Sequence, residues 1–424
     1  MKNTALLDKL TAVRPSPVQL KMLEMGYYTF LHFGMNTFTK KEWGSGKNPP
    51  SDFKLESFDA DKLVSDIKST GSAGIIFTAK HHDGFCLFNS KYTDYTVAHS
   101  PYKNGKGDIL KELSVACQQQ NMPLGVYLSP WDRHEKSYGT PDYNDFYCNQ
   151  LEEICSGYGK LFCIWLDGAV GAEAKGKQVY DWERIYSVVH RLQPDCCISN
   201  CGKDVRWIGN ENGKCRKAEW SVVSTQLYPT YTGEKIFKAT DEDLGSREKL
   251  ESEEVCYYPA EMDVPITKNK WFYTFKNELL YTRSAKNLAQ CYFDSVGNNA
   301  LLLLNIAPDK KLSIRKKFLK RLYKARKIVL KKFARPVTFD INKINENTFK
   351  IKASSTVKTM IMAEDLTYSQ RIESFKVESD EGIIYDGLTV GYKKYCFFNR
   401  AASSFTVTIK SRYDSKIAYI KLFE

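Results

Sequence analysis

Short apolar runs recur along the chain, and most are separated by stretches with apolar residues at i, i+3 and i+4. The runs are Tyr27–Phe33, Gly74–Thr78, Pro123–Leu128, Leu161–Leu166, Cys196–Ser199, Glu219–Val223, Val255–Tyr258 and Ala300–Leu304. Runs this short, apolar on both faces and rich in β-branched or aromatic residues, read as buried parallel strands. Between them, Asp61–Ser69, Asp108–Gln120, Tyr143–Ser156 and Trp182–Leu192 carry helical spacing. Eight strand–helix units over about 310 residues predict a (β/α)8 TIM-like barrel, toward the upper side of its usual size. No helix is evident after the sixth run, which predicts an irregular segment there.

The texture changes after Lys332. Val337–Ile341, Thr348–Ala353, Thr359–Ala363, Phe375–Glu378, Cys396–Phe398, Ser404–Lys410 and Ile417–Phe423 are short β-rich runs broken by turn residues. That is the pattern of an antiparallel β-sandwich. A boundary at Ala334-Arg335-Pro336 divides the chain into a barrel over 1–333 and a C-terminal sandwich over 334–424. The C-terminal part has no obvious aromatic platform for a sugar, so its expected role is to cover the barrel flank.

Composition changes this picture in three places. Aromatic residues, at 13%, are abundant; most belong in a core, and a minority suit flat ligand faces. Seven of the twelve Cys (Cys86, Cys117, Cys163, Cys196, Cys197, Cys256 and Cys291) fall in apolar segments, where a free thiol acts as a small buried hydrophobe. Cys196, Cys197 and Cys201 lack the spacing of a zinc site, so mostly reduced thiols are expected. The net charge of +12 is concentrated in Lys310–Lys332, which holds twelve basic residues and no acidic one, while the rest of the chain balances. Leu312, Phe318, Leu319, Leu322, Ile328 and Val329 interleave with these charges, which predicts an amphipathic helix with a solvated basic face. No second basic patch with interleaved aromatics accompanies it, so no nucleic-acid partner is expected. No apolar run approaches the roughly 18 residues of a membrane span. Met1–Pro17 is polar and lacks a secretory apolar region, so the chain reads either as cytosolic or as one whose signal has been removed.

Active sites of (β/α)8 barrels lie at the C-terminal ends of the strands. Those ends carry His32 after the first run, His81-His82-Asp83 after the second and Trp131-Asp132 after the third. Asp167 follows the fourth, Asn200 the fifth, and Glu261 and Asp263 the seventh, while Glu211 sits in the polar loop Val205–Gly213. Two chemistries fit this rim. His32, His81, His82 and Asp83 are residue types that bind zinc, although adjacent His81 and His82 point to opposite faces of an extended strand. Glycoside hydrolysis instead needs two carboxyl groups flanking the scissile bond. Asp167 on a strand end would be the rigid nucleophile, and Glu211 on a loop the general acid and then base. Neutral His would bond sugar hydroxyls, and Trp and Tyr would pack on the ring. An Asp after a strand can equally cap a helix, and the pattern alone leaves these readings open.

His32-Phe33-Gly34-Met35-Asn36-Thr37-Phe38, Glu42-Trp43, Thr78-Ala79-Lys80-His81-His82-Asp83-Gly84-Phe85 and Trp165-Leu166-Asp167-Gly168 resemble, in order through the whole barrel, the α-L-fucosidases of glycoside hydrolase family 29. The resemblance implies the same architecture, a barrel followed by a β-sandwich. It implies Asp167 as nucleophile and a fucose pocket of His32, Glu42, Trp43, His81, His82, Tyr127, Trp165 and Arg206. Tyr127-Leu128-Ser129-Pro130-Trp131-Asp132-Arg133 and Gly209-Asn210-Glu211 resemble the branch selective for α-1,3/1,4 linkages, which implies Glu211 as acid/base. Glu42, Glu219 and Glu261 are the rival candidates. Trp131, Asp132 and Glu261 are assigned to contacts beyond fucose. The implied substrate is a fucosylated oligosaccharide or glycoconjugate of the branched Lewis type, and the reaction a retaining double displacement with no metal or organic cofactor. The carboxyl groups would then stand roughly 5–5.5 Å apart. A fucosidase of broad specificity and a catalytically silent glycan-binding protein are the alternatives.

Overall fold

A computed structural model describes residues 4–229, 243–268 and 270–424. Eight parallel strands close into a barrel: β1 (Tyr27–Leu31), β2 (Ile75–Lys80), β3 (Leu124–Leu128), β4 (Leu161–Leu166), β5 (Cys197–Asn200), β6 (Val205–Trp207), β7 (Ala260–Pro265) and β8 (Ala300–Asn305). The last strand pairs with the first, Tyr27 opposite Leu302 and Phe30 opposite Asn305. Side chains alternate between the two faces of each strand. One set, including Tyr28, Phe30, Ile76, Tyr127, Trp165, Val205, Leu301 and Leu303, fills the lumen. The other set, including Leu31, Ile75, Val126, Ile164, Ile198 and Met262, packs outward against the helices.

Helices α1 (Thr4–Ala12) and α2 (Pro17–Met25) precede the barrel, and their Leu6, Leu10, Met22 and Leu23 join the lumen cluster from the N-terminal end of the strands. α2 starts with a reciprocal cap, Gln19 N donating to Ser16 Oγ at 3.2 Å and Ser16 N donating to Gln19 Oε1 at 2.9 Å, with Pro17 in its first turn. Four outer helices lie where the apolar spacing puts them: α3 (Ala60–Ser69), α4 (Ile109–Gln119), α5 (Tyr143–Gly157) and α6 (Trp182–Leu192). Asp59, Asp108 and Asp181 cap α3, α4 and α6 by accepting a backbone N–H from the first turn. α7 (Ala285–Ser295) and α8 (Lys316–Lys332) complete the ring. α8 carries the predicted basic face and buries Phe318, Leu322 and Ala325.

Two of the eight expected strands are displaced. The sixth barrel strand is Val205–Trp207, and the seventh is Ala260–Pro265. The apolar runs Glu219–Val223 and Val255–Tyr258 instead contribute Val222–Ser224 and Val255–Tyr257, which pair antiparallel with each other outside the barrel. β6 is only three residues long and contains an arginine, so it has no apolar run to announce it. Only Cys201–Asp204 separates β5 from β6, and among the described residues only one short 3-10 turn, Thr225–Leu227, and no α-helix lies between β6 and β7.

After α8 the chain forms an antiparallel sheet. Its strands are β9 (Pro336–Val337), β10 (Phe339–Asn345), β11 (Thr348–Glu364), β12 (Ile372–Ser379), β13 (Gly382–Gly387), β14 (Lys394–Ser411) and β15 (Ile417–Phe423), in the order β9-β15-β11-β14-β12-β13 with β10 on β11. Runs that look separate in sequence are halves of β11 and of β14, whose pairing shifts register between Lys352 and Thr359. The halves pair with different neighbours, and Phe349, Ile351, Met360, Met362, Phe375, Val407 and Leu422 share one core. The sandwich is thus one sheet folded at bulges in its two long strands. It lies against the barrel through Phe293, Phe333, Tyr395, Phe397 and Phe423, and through Arg412, whose guanidinium stacks 3.8 Å from the Trp220 ring.

All twelve cysteines are free, and most are buried. Among the described residues no helix is long and apolar enough to cross a membrane. One buried ion pair braces the barrel rim: Lys80 Nζ at the end of β2 reaches Asp132 Oδ2 at 3.0 Å and Gln150 Oε1 at 2.9 Å, inside a cage of Tyr143, Phe146 and Tyr147 rings. Asp132→Ala would leave the Lys80 charge without its carboxylate in that cage, so a loss of about 3–5 kcal/mol is expected in denaturant unfolding. A loss below about 1 kcal/mol would show that solvent screens the pair.

Candidate active site

A cavity of about 560 Å³ opens at the C-terminal ends of the barrel strands. Its walls include His32, Glu42, Trp43, His81, His82, Trp165, Asp167 and Glu211. Asp167 follows β4 directly, and each of its carboxylate oxygens accepts a hydrogen bond: Oδ2 from the Tyr127 hydroxyl at 3.0 Å, Oδ1 from Ala169 N at 2.7 Å. The Ala169 contact is an Asx-type turn that bends the chain away from the strand. Beside it, Asn200 ends β5 in the left-handed conformation (φ +66°) and donates from Nδ2 to Leu166 O at 2.8 Å. The short polar side chain of Asn tolerates that conformation.

Three histidines line the cavity, and burial pushes all three toward the neutral form. His32 is driven down to about 3 by desolvation, which outweighs its bond to Asn305 and the negative charge of Asp167. His81 is pushed far down by burial and by the positive charges of His82 and His32 when they are protonated. His82 falls by burial, opposed by Asp167 and reinforced by Arg133. Their neighbours fix which ring nitrogen holds the proton. Ser129 Oγ donates to Trp131 O at 2.7 Å, so it accepts from His82 Nδ1 at 2.7 Å. Asn305 Nδ2 donates to Trp271 O at 2.8 Å, which leaves Asn305 Oδ1 to accept from His32 Nδ1 at 3.1 Å. Asn36 Nδ2 faces His81 Nδ1 at 3.4 Å and donates to it, which puts the His81 proton on Nε2. His32 and His82 therefore keep Nε2 as an acceptor, and His81 keeps it as a donor. His82 Nε2 lies 3.8 Å from Asp167 Oδ2.

Glu211 and Glu42 sit across the cavity and are joined through Trp271. The Trp271 indole N–H donates to Glu211 Oε2 at 3.2 Å, while its backbone N–H donates to Glu42 Oε1. Burial raises the Glu211 pKa, the charges of Asp167 and Glu42 raise it further, and the Trp271 bond opposes them. Burial raises Glu42 as well, against backbone bonds from Trp271 and Phe272 and the charge of Lys270. The loop with Glu42 and Trp43 fits tightly against the wall. Gly44 has φ +65°, and a Cβ there would lie 2.5 Å from Asn36 Oδ1 and 2.6 Å from Asp83 Cβ. Trp43 is 56% exposed at the mouth, edge-on to Trp131 at 5.6 Å.

Tyr127 stands one layer below, donating to Asp167 and stacked on Trp165 with centroids 5.5 Å apart. Four expected contacts lie elsewhere. Arg206 faces away from the lumen because its neighbours Val205 and Trp207 face into it; it binds Glu219, Tyr258 O and Trp220 O. The same buried cluster takes Glu219, which also receives Arg216 at 3.5 Å. Glu261 lies within β7 rather than at its end and is 0% exposed beneath the cavity, where it accepts from Trp165 Nε1 at 2.7 Å, Ser199 Oγ at 3.3 Å and the Tyr28 hydroxyl. Asp132 is consumed by Lys80 and by the backbone N–H groups of His134 and Glu135. Trp131 backs Trp43 and His82, with its indole N–H on Glu173 Oε1 at 3.1 Å. Asp83 bonds Phe85 N at 3.3 Å, and among the described residues no group of three His, Cys, Asp or Glu is spaced to hold a metal ion.

Trp271, Asn305 and Trp207 belong to the site although no motif points to them, whereas Asp263, expected at the end of the seventh strand, does line the cavity. Asn305 is the last residue of β8, one past the expected run, and the strand-end rule would have found it. Trp271 follows the seventh barrel strand, Ala260–Pro265, which lies beyond the apolar run expected for it.

The alpha-L-fucosidase family model matches residues 23–327. The chain is 41% identical over 302 residues to Alpha-L-fucosidase 1 of Arabidopsis thaliana, covering 70% of this chain and 56% of that protein. It spans about half the length of the curated relatives it matches. Among solved structures, a Bacteroides ovatus protein assigned as an α-L-fucosidase superposes with a TM-score of 0.91 at 38% identity, over 98% of this chain and 75% of that one. A Ruminococcus gnavus GH29 fucosidase in complex with fucose superposes with a TM-score of 0.84 at 30% identity, over 97% and 95%.

The Trp271 indole is the bond that favours ionised Glu211, so Trp271→Phe is expected to raise the Glu211 pKa. Carboxyl-carbon NMR titration of the variant checks the direction. An unchanged or lowered value would show that the indole does not act on this carboxyl.

Proposed function

The chain belongs to the α-L-fucosidase family, glycoside hydrolase family 29, and on that premise we propose that it is a retaining exo-α-L-fucosidase acting on α-1,3/1,4-linked fucose of branched Lewis-type glycans. The observation that carries the reading is the contrast between two carboxyl groups on one cavity. Asp167 accepts two hydrogen bonds, whereas burial and two nearby negative charges press Glu211 toward its protonated form. A carboxyl held toward its protonated form can give a proton to the leaving oxygen, and one aligned by two donors beside it can attack.

Ionised Asp167 attacks the anomeric carbon while Glu211 donates its proton to the leaving oxygen. The C–O bond to the glycan breaks, and an Asp167–fucosyl ester forms with inverted configuration. Glu211, now a carboxylate, takes a proton from water, and that water displaces Asp167 to release L-fucose with net retention. His32 and His82 accept sugar hydroxyls at Nε2, and His81 donates one. Trp165 and Trp43 present apolar faces to the ring and its methyl group. The resemblance of Gly209-Asn210-Glu211 and of Tyr127–Arg133 to the linkage-selective branch supports the choice of linkage, as does the exposed Trp43 beside the mouth.

Two variants on two substrates test this. Asp167→Ala is expected to abolish release from both a Lewis trisaccharide and a fucoside with a good leaving group. Glu211→Ala is expected to slow the trisaccharide about 10²–10⁴-fold, to spare the activated fucoside in part, and with azide to yield fucosyl azide of retained configuration. Wild type is expected to favour the trisaccharide. Equal turnover of both substrates by wild type would remove the linkage assignment, and absence of azide rescue would move the acid/base role away from Glu211.

A further inference from the structure

A second cleft, of about 950 Å³, lies on the other side of the Glu42–Trp43 loop, between the segments that follow β8 and β1. Lys41 and Gly44 face this cleft, while Glu42 and Trp43 face the catalytic cavity, so one loop is the wall of both. The loop is pinned, since Gly44 O accepts from the Arg133 guanidinium at 2.5 Å. Four ammonium groups line the cleft: Lys41, Lys54, Lys310 and Lys311. None of them forms an ion pair among the described residues, and Lys310 rests over the Phe38 ring at 5.8 Å. The carboxylates present are Asp52, which accepts from Asn48 Nδ2 at 2.9 Å, and exposed Glu56. Positive charge is therefore in excess, and a concave wall concentrates its field on whatever enters.

We propose that this cleft is an additional subsite, which receives an anionic sugar of the glycan that carries the fucose, a sugar bearing a carboxylate or a sulfate ester. The inference rests on the hydrolytic reading above, because a fucose held at the closed end of the cavity sends the rest of its glycan over the rim. The Glu42–Trp43 loop is part of that rim, and the exposed indole of Trp43 offers a sugar an apolar face at the crossing. Lys310 and Lys311 also open the basic segment that continues into α8, so part of the unusual charge of this chain lines this cleft. Contacts of exposed lysines with an anion are individually weak and screened by salt. Several acting on one sugar would lower KM and leave kcat alone.

The test uses a neutral Lewis trisaccharide, its sialylated form and its sulfated form. Each is titrated by calorimetry into the Asp167→Ala protein at low and high salt, and each is offered as substrate to the protein with Asp167 intact. Lys310→Ala/Lys311→Ala and Lys41→Ala/Lys54→Ala are compared in both settings. At least one charged glycan is expected to bind about tenfold more tightly than the neutral one at low salt. That advantage falls about twofold to fivefold for each lysine removed and shrinks at high salt, while the neutral glycan is unaffected. A gain confined to the sialylated glycan identifies the carboxylate as ligand, and one confined to the sulfated glycan the sulfate ester. Equal affinity for all three, or an advantage that survives loss of the lysines, overturns the subsite. Charge-dependent binding without fucose release from any of the three glycans would uphold the cleft and remove the hydrolytic reading; release from the neutral glycan without charge dependence would do the reverse.

Discussion

A single buried carboxylate, Glu261, ties four barrel strands together beneath the cavity. From β7 it accepts the Tyr28 hydroxyl of β1, the Trp165 indole of β4 and the Ser199 hydroxyl of β5. Burial raises its pKa, while these donors and Asp263 pull the other way. A carboxylate without such partners would be costly to bury. Its grip on Trp165 matters for what lies above. Tyr127 stacks on that indole and donates to Asp167, which leaves the same strand two residues after Trp165. The floor of the cavity and the orientation of its principal carboxylate thus rest on a residue that no ligand reaches. Such support under the residues that touch the ligand keeps a site in register.

Above that floor, burial has different consequences for different groups. It makes the three histidines neutral, and Ser129, Asn305 and Asn36 then decide which ring nitrogen each one offers. A neutral imidazole with a fixed tautomer recognises a hydroxyl by direction, and it adds no charge to compete with Asp167. Burial also raises Glu211, where the charge of Asp167 acts in the same sense. In the proposed mechanism, the ionised nucleophile helps to keep its partner protonated.

Much of this was legible in the chain, for reasons that can be stated residue by residue. Six barrel strands announce themselves as apolar runs because both faces are buried, and Asp167, His32, His81 and His82 stand where those runs end. β6 was hidden because three residues including Arg206 make no run, and two apolar segments of the excursion between β6 and β7 took the places of β6 and β7. Glu261 is mid-strand rather than at a strand end, parity turns Arg206 outward from the pocket, and Trp271 lies in a loop that no apolar run marks. In the C-terminal part, bulges inside β11 and β14 made single long strands look like separate short ones. The tautomer-setting Asn305 and Ser129 were beyond reach, since each acts through a partner far away in sequence.

The central claim is that Asp167 becomes covalently bound to fucose, and a slow-reacting 2-deoxy-2-fluoro-fucosyl fluoride tests it most directly. Mass spectrometry of the intact protein should show the addition of one fluorofucosyl group. Proteolysis should place that group on the peptide containing Trp165-Leu166-Asp167-Gly168, with release on prolonged incubation. Labelling of a different carboxylate, or turnover of the reagent with no adduct and with inverted product, would contradict it.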